Sequence, residues 1–293
     1  MHNTKSASPK FHFGLIIVGD EILSGKRADK HMSKVIELLQ ERGLQLEWAD
    51  YVGDSPERIT ATLKRAFASN DIVFSTGGIG ATPDDHTRQC AAKALGEALQ
   101  LHPRAEALIR ERMQDTARDN GTVYEPNHPD NIHRLNMGVF PASSEIIPNP
   151  YNKIPGFSCL GQAAHPQAPA GQGMQTHTGS VHFVPGFPVM AWPMVQWVLD
   201  TLYPHLHQKA AYLEKSAIVF GAMEAALTPL MERIEAAHSG VKVFSLPSVD
   251  HPQWGKHIEL GVKGSPEAVA PAYAMMMEEL HKFGAKIGAE LVR

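Results

Sequence analysis

Two adjacent carboxylates in a glycine-rich stretch, Asp84 and Asp85, are the residues of this sequence best placed to do chemistry. They close the run Ser75-Thr-Gly-Gly-Ile-Gly-Ala-Thr-Pro-Asp-Asp-His-Thr87, between the apolar Asp71-Ile-Val-Phe74 and a helical run from Arg88 to Leu95 that stops at Gly96. A strand, a glycine turn and a helix N-terminus make backbone N–H groups converge on an anion. Gly77, Gly78 and Gly80 let the main chain approach a ligand closely and take positive φ. Carboxylates beside such a cradle suit a divalent cation held between protein and phosphate. The plainer alternative is a βα turn with a capping Asp or Thr and glycines present for geometry alone; the paired aspartates weigh against it.

The elements around this loop repeat one pattern. Phe13 to Val18 is near-continuously apolar, as in a strand buried on both faces, and ends at Gly19-Asp20-Glu21-Ile-Leu-Ser24-Gly25. Between Asp29 and Arg42, Met32, Val35, Ile36 and Leu39 have helical spacing and Gly43 supplies a stop. Leu44 to Val52 reads as strand. Gly53-Asp54 then leads to Ser55 as an N-cap and Pro56 at the first helical position, with Ile59, Leu63 and Phe67 buried by the helix that follows. The order β-α-β-α-β-α predicts a parallel sheet covered by helices on both faces. Ligands bind beyond the carboxyl ends of such strands, so the turns at 19–25, 53–55 and 77–85 should open on one edge.

Pro103 to Asp119 reads as helix, Tyr124 to Asp130 as loop, Glu145 to Ile147 as a short strand, Val181 to Val184 as strand and Val189 to Leu202 as helix. The Gly-, Pro-, Gln- and Ala-rich stretch 155–179 reads as a mobile loop, a tolerated surface insertion in preference to a lid. Residues 205–211 read as a linker. Beyond it come strand, helix, two strands and helix, a small βαββα unit whose alternating Ile258, Leu260 and Val262 predict a sheet with one solvated face. The expected organisation is a tail over 1–11, a large domain over 12–204, the linker, and a small domain over 212–293.

With 293 residues, 43% apolar and 20% charged, the chain has material for a substantial core. A net charge of −4 without a long basic run argues against nucleic acid as a partner. Two cysteines are too few for a disulfide framework. The polar start carries no signal peptide and no stretch reaches the ~18 apolar residues of a membrane span, so a cytoplasmic protein without membrane attachment is expected. The sixteen histidines are scattered and read as surface or core residues rather than a metal site.

The loops resemble those of the molybdopterin-binding, MoaB/Mog-like superfamily, and within it the competence/damage-inducible protein A (CinA) N-terminal family. The residues that carry the likeness are 19–25, Val52-Gly-Asp54, 75–87, Ile147-Pro-Asn-Pro150 and Val184-Pro-Gly-Phe-Pro188. It covers residues 12 to 204, and more weakly runs to about 284. The resemblance implies an α/β fold, a three-layer αβα domain with a mostly parallel sheet, beside a smaller α+β domain. It implies binding of a phosphate-bearing nucleotide or pterin, and metal-dependent hydrolysis of an ADP-ribose-type nucleotide. The alternatives are a non-catalytic nucleotide- or pterin-binding module and a role in molybdenum cofactor synthesis.

By that likeness Gly77, Gly78, Gly80 and Thr82 hold phosphate, while Asp54 and Asp85 are the catalytic acids and cation ligands. Gly19, Glu21, Ser24, Gly25, Thr76, Asp84, Thr87, Pro185 and Gly186 complete the ligand loops, with Asp20 a weaker candidate. The implied cation is Mg²⁺, Mn²⁺ or Co²⁺, with K⁺ a further candidate, and the implied assembly is a homodimer or homotrimer. Three departures stand out. The nicotinamide-mononucleotide deamidase domain of the long CinA proteins is expected to be absent. Asn152-Lys153-Ile154 and the Gln-rich stretch replace Gly-Thr-Ala, and Met190 replaces a glutamate; both changes are expected near the ligand edge.

Overall fold

The computed structural model describes residues 11–161, 179–207 and 213–293. All but Phe11 of the expected tail, most of the 155–179 loop and most of the 205–211 linker lie outside the described residues. The chain divides into two compact units, 1–207 and 208–293.

The first unit opens with β1 (Phe13–Val18), α1 (Asp20–Leu23), α2 (His31–Gln40), β2 (Leu46–Val52), α3 (Pro56–Phe67), β3 (Ile72–Thr76) and α4 (Thr87–Leu95). It continues with β4 (Leu99–Leu101), α5 (Pro103–Asp119), α6 (Pro129–Arg134), β5 (Val139–Pro141) and β6 (Glu145–Ile147). β7 (Gly156–Leu160), β8 (Ser180–Val184) and α7 (Pro188–Leu202) complete it. The main sheet has the order β2-β1-β3-β8-β7-β6. β2, β1, β3 and β8 run parallel, and β7 pairs antiparallel with both β8 and β6.

Alternation along β1 sets the three layers. Phe13, Leu15 and Ile17 pack with Val35, Leu39, Val195 and Leu199 of α2 and α7 on one face. Ile16 and Val18 pack with Ile59, Leu63, Cys90 and Ala91 of α3 and α4 on the other. The Ser55 hydroxyl caps α3, accepting from the Arg58 N–H at 3.4 Å. Ser55→Ala is expected to lower unfolding free energy by about 0.5–1 kcal/mol, read as a shifted urea midpoint at unchanged slope.

Three expectations need correction. The first turn contains the short helix α1. The stretch read as one long loop begins with β7, where Phe157 stacks between Phe140 and Phe183 at centroid distances of 4.5 and 4.4 Å. The loop at Tyr124–Asp130 gives way to α6. The sheet also buries a polar trio, in which the His182 ring bonds to the Ser158 hydroxyl at 2.7 Å and to the Tyr203 hydroxyl at 2.8 Å.

Gly161 and Gly179 flank the undescribed stretch between β7 and β8, and the Gly161 N–H donates to the Gly179 carbonyl at 2.7 Å. Both glycines lie against the C-terminal end of α3: an added Cβ would meet the Phe67 and Ala66 carbonyl oxygens at 2.2 and 2.3 Å. Ser180 N–H also bonds the Asp71 carbonyl just before β3. Gly161 and Gly179 therefore stand at the strand ends opposite the glycine turns, and the Gln-rich stretch between them lies outside the described residues.

The second unit comprises β9 (Leu213–Phe220), α8 (Glu224–Ala237), β10 (Lys242–His251), β11 (Gly255–Gly264), α9 (Pro266–Lys282) and β12 (Lys286–Val292), in an antiparallel sheet of order β10-β11-β9-β12. The expected βαββα pattern gains this last strand. Leu227, Ile234, Met276 and Leu280 of the helices pack on Val219, Leu260 and Val262. The other face is not simply solvated. Glu259 is buried there, accepting from the Ser216 hydroxyl and the Arg293 guanidinium, each at 2.6 Å.

Candidate functional site

β1, β2 and β3 are parallel, so their following turns emerge together, and the Gly19 N–H ties the first to the Val52 carbonyl at 3.0 Å. Beside them β8 delivers Pro185-Gly186-Phe187. The result is a cavity of about 820 Å³, the size of a small-molecule site.

The glycine loop is held from behind. Gly77 has φ +95°, and a Cβ there would lie 2.3 Å from the Val18 carbonyl; Gly78 has φ +68° with the Thr87 hydroxyl 2.2 Å from its would-be Cβ. Thr87 donates its hydroxyl to the Gly77 carbonyl (3.1 Å) and its N–H to the Gly78 carbonyl (3.0 Å). The buried Arg88 guanidinium donates to the Gly80 carbonyl at 2.6 Å and to the Asn136 carbonyl. The Gly77, Gly78 and Gly80 carbonyls are engaged in this way, while Gly78, Ile79 and Gly80 keep N–H groups that meet no acceptor among the described residues. Gly78→Ala adds a clash to a strained φ costing about 1–2 kcal/mol. The expected outcome is a folded protein with a lower thermal midpoint, and pyrophosphate added to it should give no upward shift of that midpoint, whatever it does to wild type.

Asp85 Oδ2 accepts from the Thr82 N–H (2.9 Å) and hydroxyl (2.5 Å). Asp54 and Asp20 clasp one another, each N–H donating to the other's carboxylate at 3.0 and 3.1 Å. Burial, then repulsion from Asp20, Glu21 and Asp84, push the Asp54 carboxyl above the usual carboxylate range, against the Asp20 N–H that lowers it. Among the described residues no three His, Cys, Asp or Glu side chains are grouped to hold a metal ion. A Mg²⁺-type cation fits the donors present differently, taking one or two carboxylates and filling its shell with water and ligand oxygens; it would also relieve the crowding on Asp54.

Of the residues expected from sequence, Gly19, Glu21, Asp54, Thr76, Gly77, Gly78, Gly80, Thr82, Asp84, Asp85, Pro185 and Gly186 line this one cavity. Ser24 and Gly25 are exposed and outside the lining, while Thr87 is fully buried and acts behind the loop. Gly77 N–H is spent on the Val184 carbonyl. Sequence reasoning did not name Arg27, Lys30 and His31 as site residues, nor Asn149 and Phe187 inside two of the loops that carry the likeness, yet all five line the cavity. The first three directly follow the first glycine turn and Phe187 follows Pro-Gly, so position on the shared edge was the available signal. Asn152 and Met190 do reach the cavity, where the Asn152 amide donates to Met190 Sδ at 3.2 Å.

Residues 14–208 match the family model described as "Probable molybdopterin binding domain". The chain belongs to this molybdopterin-binding domain family. A CinA-like protein of Anaeromyxobacter dehalogenans is 28% identical to it over 284 residues, covering 94% of this chain and 60% of that relative. The chain thus spans 60% of the length of that relative. Protein TV0584 of Thermoplasma volcanium is 28% identical over 268 residues, 92% of this chain and 90% of its own. Among solved structures, CinA of unknown function from Thermoplasma acidophilum matches 64% of this chain and 97% of its own at 26% identity and a TM-score of 0.49. The family match covers the glycine loop, both catalytic candidates and the Pro-Gly-Phe turn. None of the described helices of this family member is long and apolar enough to cross a membrane.

Proposed function

We propose that the cavity binds the phosphate groups of a nucleotide or pterin and hydrolyses an ADP-ribose-type pyrophosphate with a divalent cation. The observation that carries this reading is that Gly78, Ile79 and Gly80, whose N–H groups meet no acceptor among the described residues, line the same cavity as Asp54 and Asp85. The amides would receive phosphate oxygens and stabilise developing charge. Asp54 and Asp85 would hold a Mg²⁺, Mn²⁺ or Co²⁺ ion, whose contribution is to polarise the phosphoryl group and activate water. Thr82 keeps the Asp85 carboxylate aimed, and the Asp20–Asp54 clasp does the same for Asp54.

A second reading, binding without turnover, is favoured by Met190, which lines the cavity where the resemblance to the family implies a glutamate. Incubating the chain with ADP-ribose, FAD and dinucleotides, each with Mg²⁺, Mn²⁺ or Co²⁺, separates the two. AMP release supports hydrolysis. Thermal stabilisation by the same compounds with no AMP formed selects the binding module. The likeness to the family also carries a homodimer or homotrimer, which light scattering on the whole chain tests.

A further inference from the structure

Phe187 breaks the usual rule for a large aromatic residue: it is 56% exposed, yet it forms part of a cavity wall. Its backbone is fixed on three sides. The neighbouring Gly186 carbonyl accepts from the His31 ring at 3.0 Å, and the Phe187 carbonyl accepts from the N–H groups of Met190 and Ala191, both at 2.9 Å. Over its ring stands the Arg27 guanidinium, 6.0 Å from the centroid, itself 59% exposed and loosely steered by Glu21 at 3.7 Å. Ile154, Pro155 and Met190 add apolar groups to the same cavity lining. The cavity lining therefore combines two chemistries, amides and carboxylates together with an exposed aromatic ring and a planar cation.

We infer that Phe187 and Arg27 seat a flat heteroaromatic ring, which makes this cavity selective for ring-bearing phosphates over bare pyrophosphate. The inference rests on the phosphate-binding reading above. A ring lying on Phe187 gains stacking area and leaves the Arg27 guanidinium a second face to cover, the arrangement by which bases are held without reading their edges. The backbone that carries Phe187 is held before the ligand arrives, which limits the ordering cost that offsets that gain.

The test measures dissociation constants of ADP and of inorganic pyrophosphate by calorimetry on the whole chain, as wild type, Phe187→Ala and Phe187→Trp. The expected result is an ADP affinity about tenfold to a hundredfold weaker in Phe187→Ala, restored in Phe187→Trp, with pyrophosphate affinity unchanged in both. If Phe187→Ala weakens ADP and pyrophosphate alike, or neither, the ring seat is wrong while the phosphate site stands. A wild-type chain that binds neither probe removes the phosphate site, and the ring seat with it.

Discussion

Asp85→Asn is expected to reduce metal-dependent AMP release by at least about a hundredfold while leaving the thermal midpoint in place. The asparagine keeps an oxygen for the Thr82 N–H and hydroxyl that now bond Asp85 Oδ2. It also keeps the volume that Gly80 makes room for, since a Cβ at Gly80 would lie 2.5 Å from that oxygen. What it loses is the negative charge that would hold a cation against phosphate. Removing several kcal/mol of transition-state stabilisation costs a factor of ten for about each 1.4 kcal/mol. An Asp85→Asn protein that still releases AMP at the wild-type rate would sink the hydrolytic reading, and the intact fold ensures that a negative result is not simply unfolding.

The second large effect is on stability in acid. His182 is fully buried, and burial lowers its pKa from 6.5 to about 3. The folded protein thus keeps the ring neutral, one nitrogen accepting and the other donating to the Ser158 and Tyr203 hydroxyls. The unfolded chain takes up a proton near pH 6.5. Because the folded pKa is the lower one, the unfolded state binds more protons as pH falls, and stability present above pH 6.5 is lost below it. The loss from this group is about 1.4 kcal/mol per pH unit, reaching about 5 kcal/mol near pH 3. Carboxylates contribute their own acid sensitivity, so the measurement is the difference in unfolding free energy between wild type and His182→Gln from pH 7.5 to 4. That difference should favour wild type at pH 7.5 and shrink steadily with acid; a pH-independent difference would show that His182 is not held neutral.

The parts of the fold that were legible in the sequence are those whose cause is local. Gly43 and Gly96 end helices, Ser55-Pro56 begins one, and β1 and β3 announce themselves as unbroken apolar runs. Two such strands with glycine turns after them place Gly19 and Asp85 on one edge, and β2 between two helices brings Asp54 to the same edge. β4 and β5, of three residues each, are too short to carry a period. β7 was hidden because the Gln- and Ala-rich run after it dominates the local composition. β12 is largely exposed, so its alternation is weak. In the site, the contacts without a sequence signal are those that join distant segments. His31 meets Gly186 across 155 positions and Arg88 meets Asn136 across 48. Neither spacing follows from a turn or a helix period. Glu259 failed for a related reason: a carboxylate on a strand reads as solvent-facing until Ser216 and Arg293 are known to cover it.

The single hydrogen bond between Gly161 and Gly179 makes this edge of the molecule a natural splice point. Two strands whose ends already touch ask nothing of whatever joins them, and the cost of closing a connection grows only slowly with its length. The junction sits at the far ends of the strands from the glycine turns, so a fluorescent or affinity domain grafted there would report on the protein without entering its cavity. The same geometry explains how a family member can carry a long compositionally biased insertion while the walls around Asp54 and Asp85 keep their arrangement.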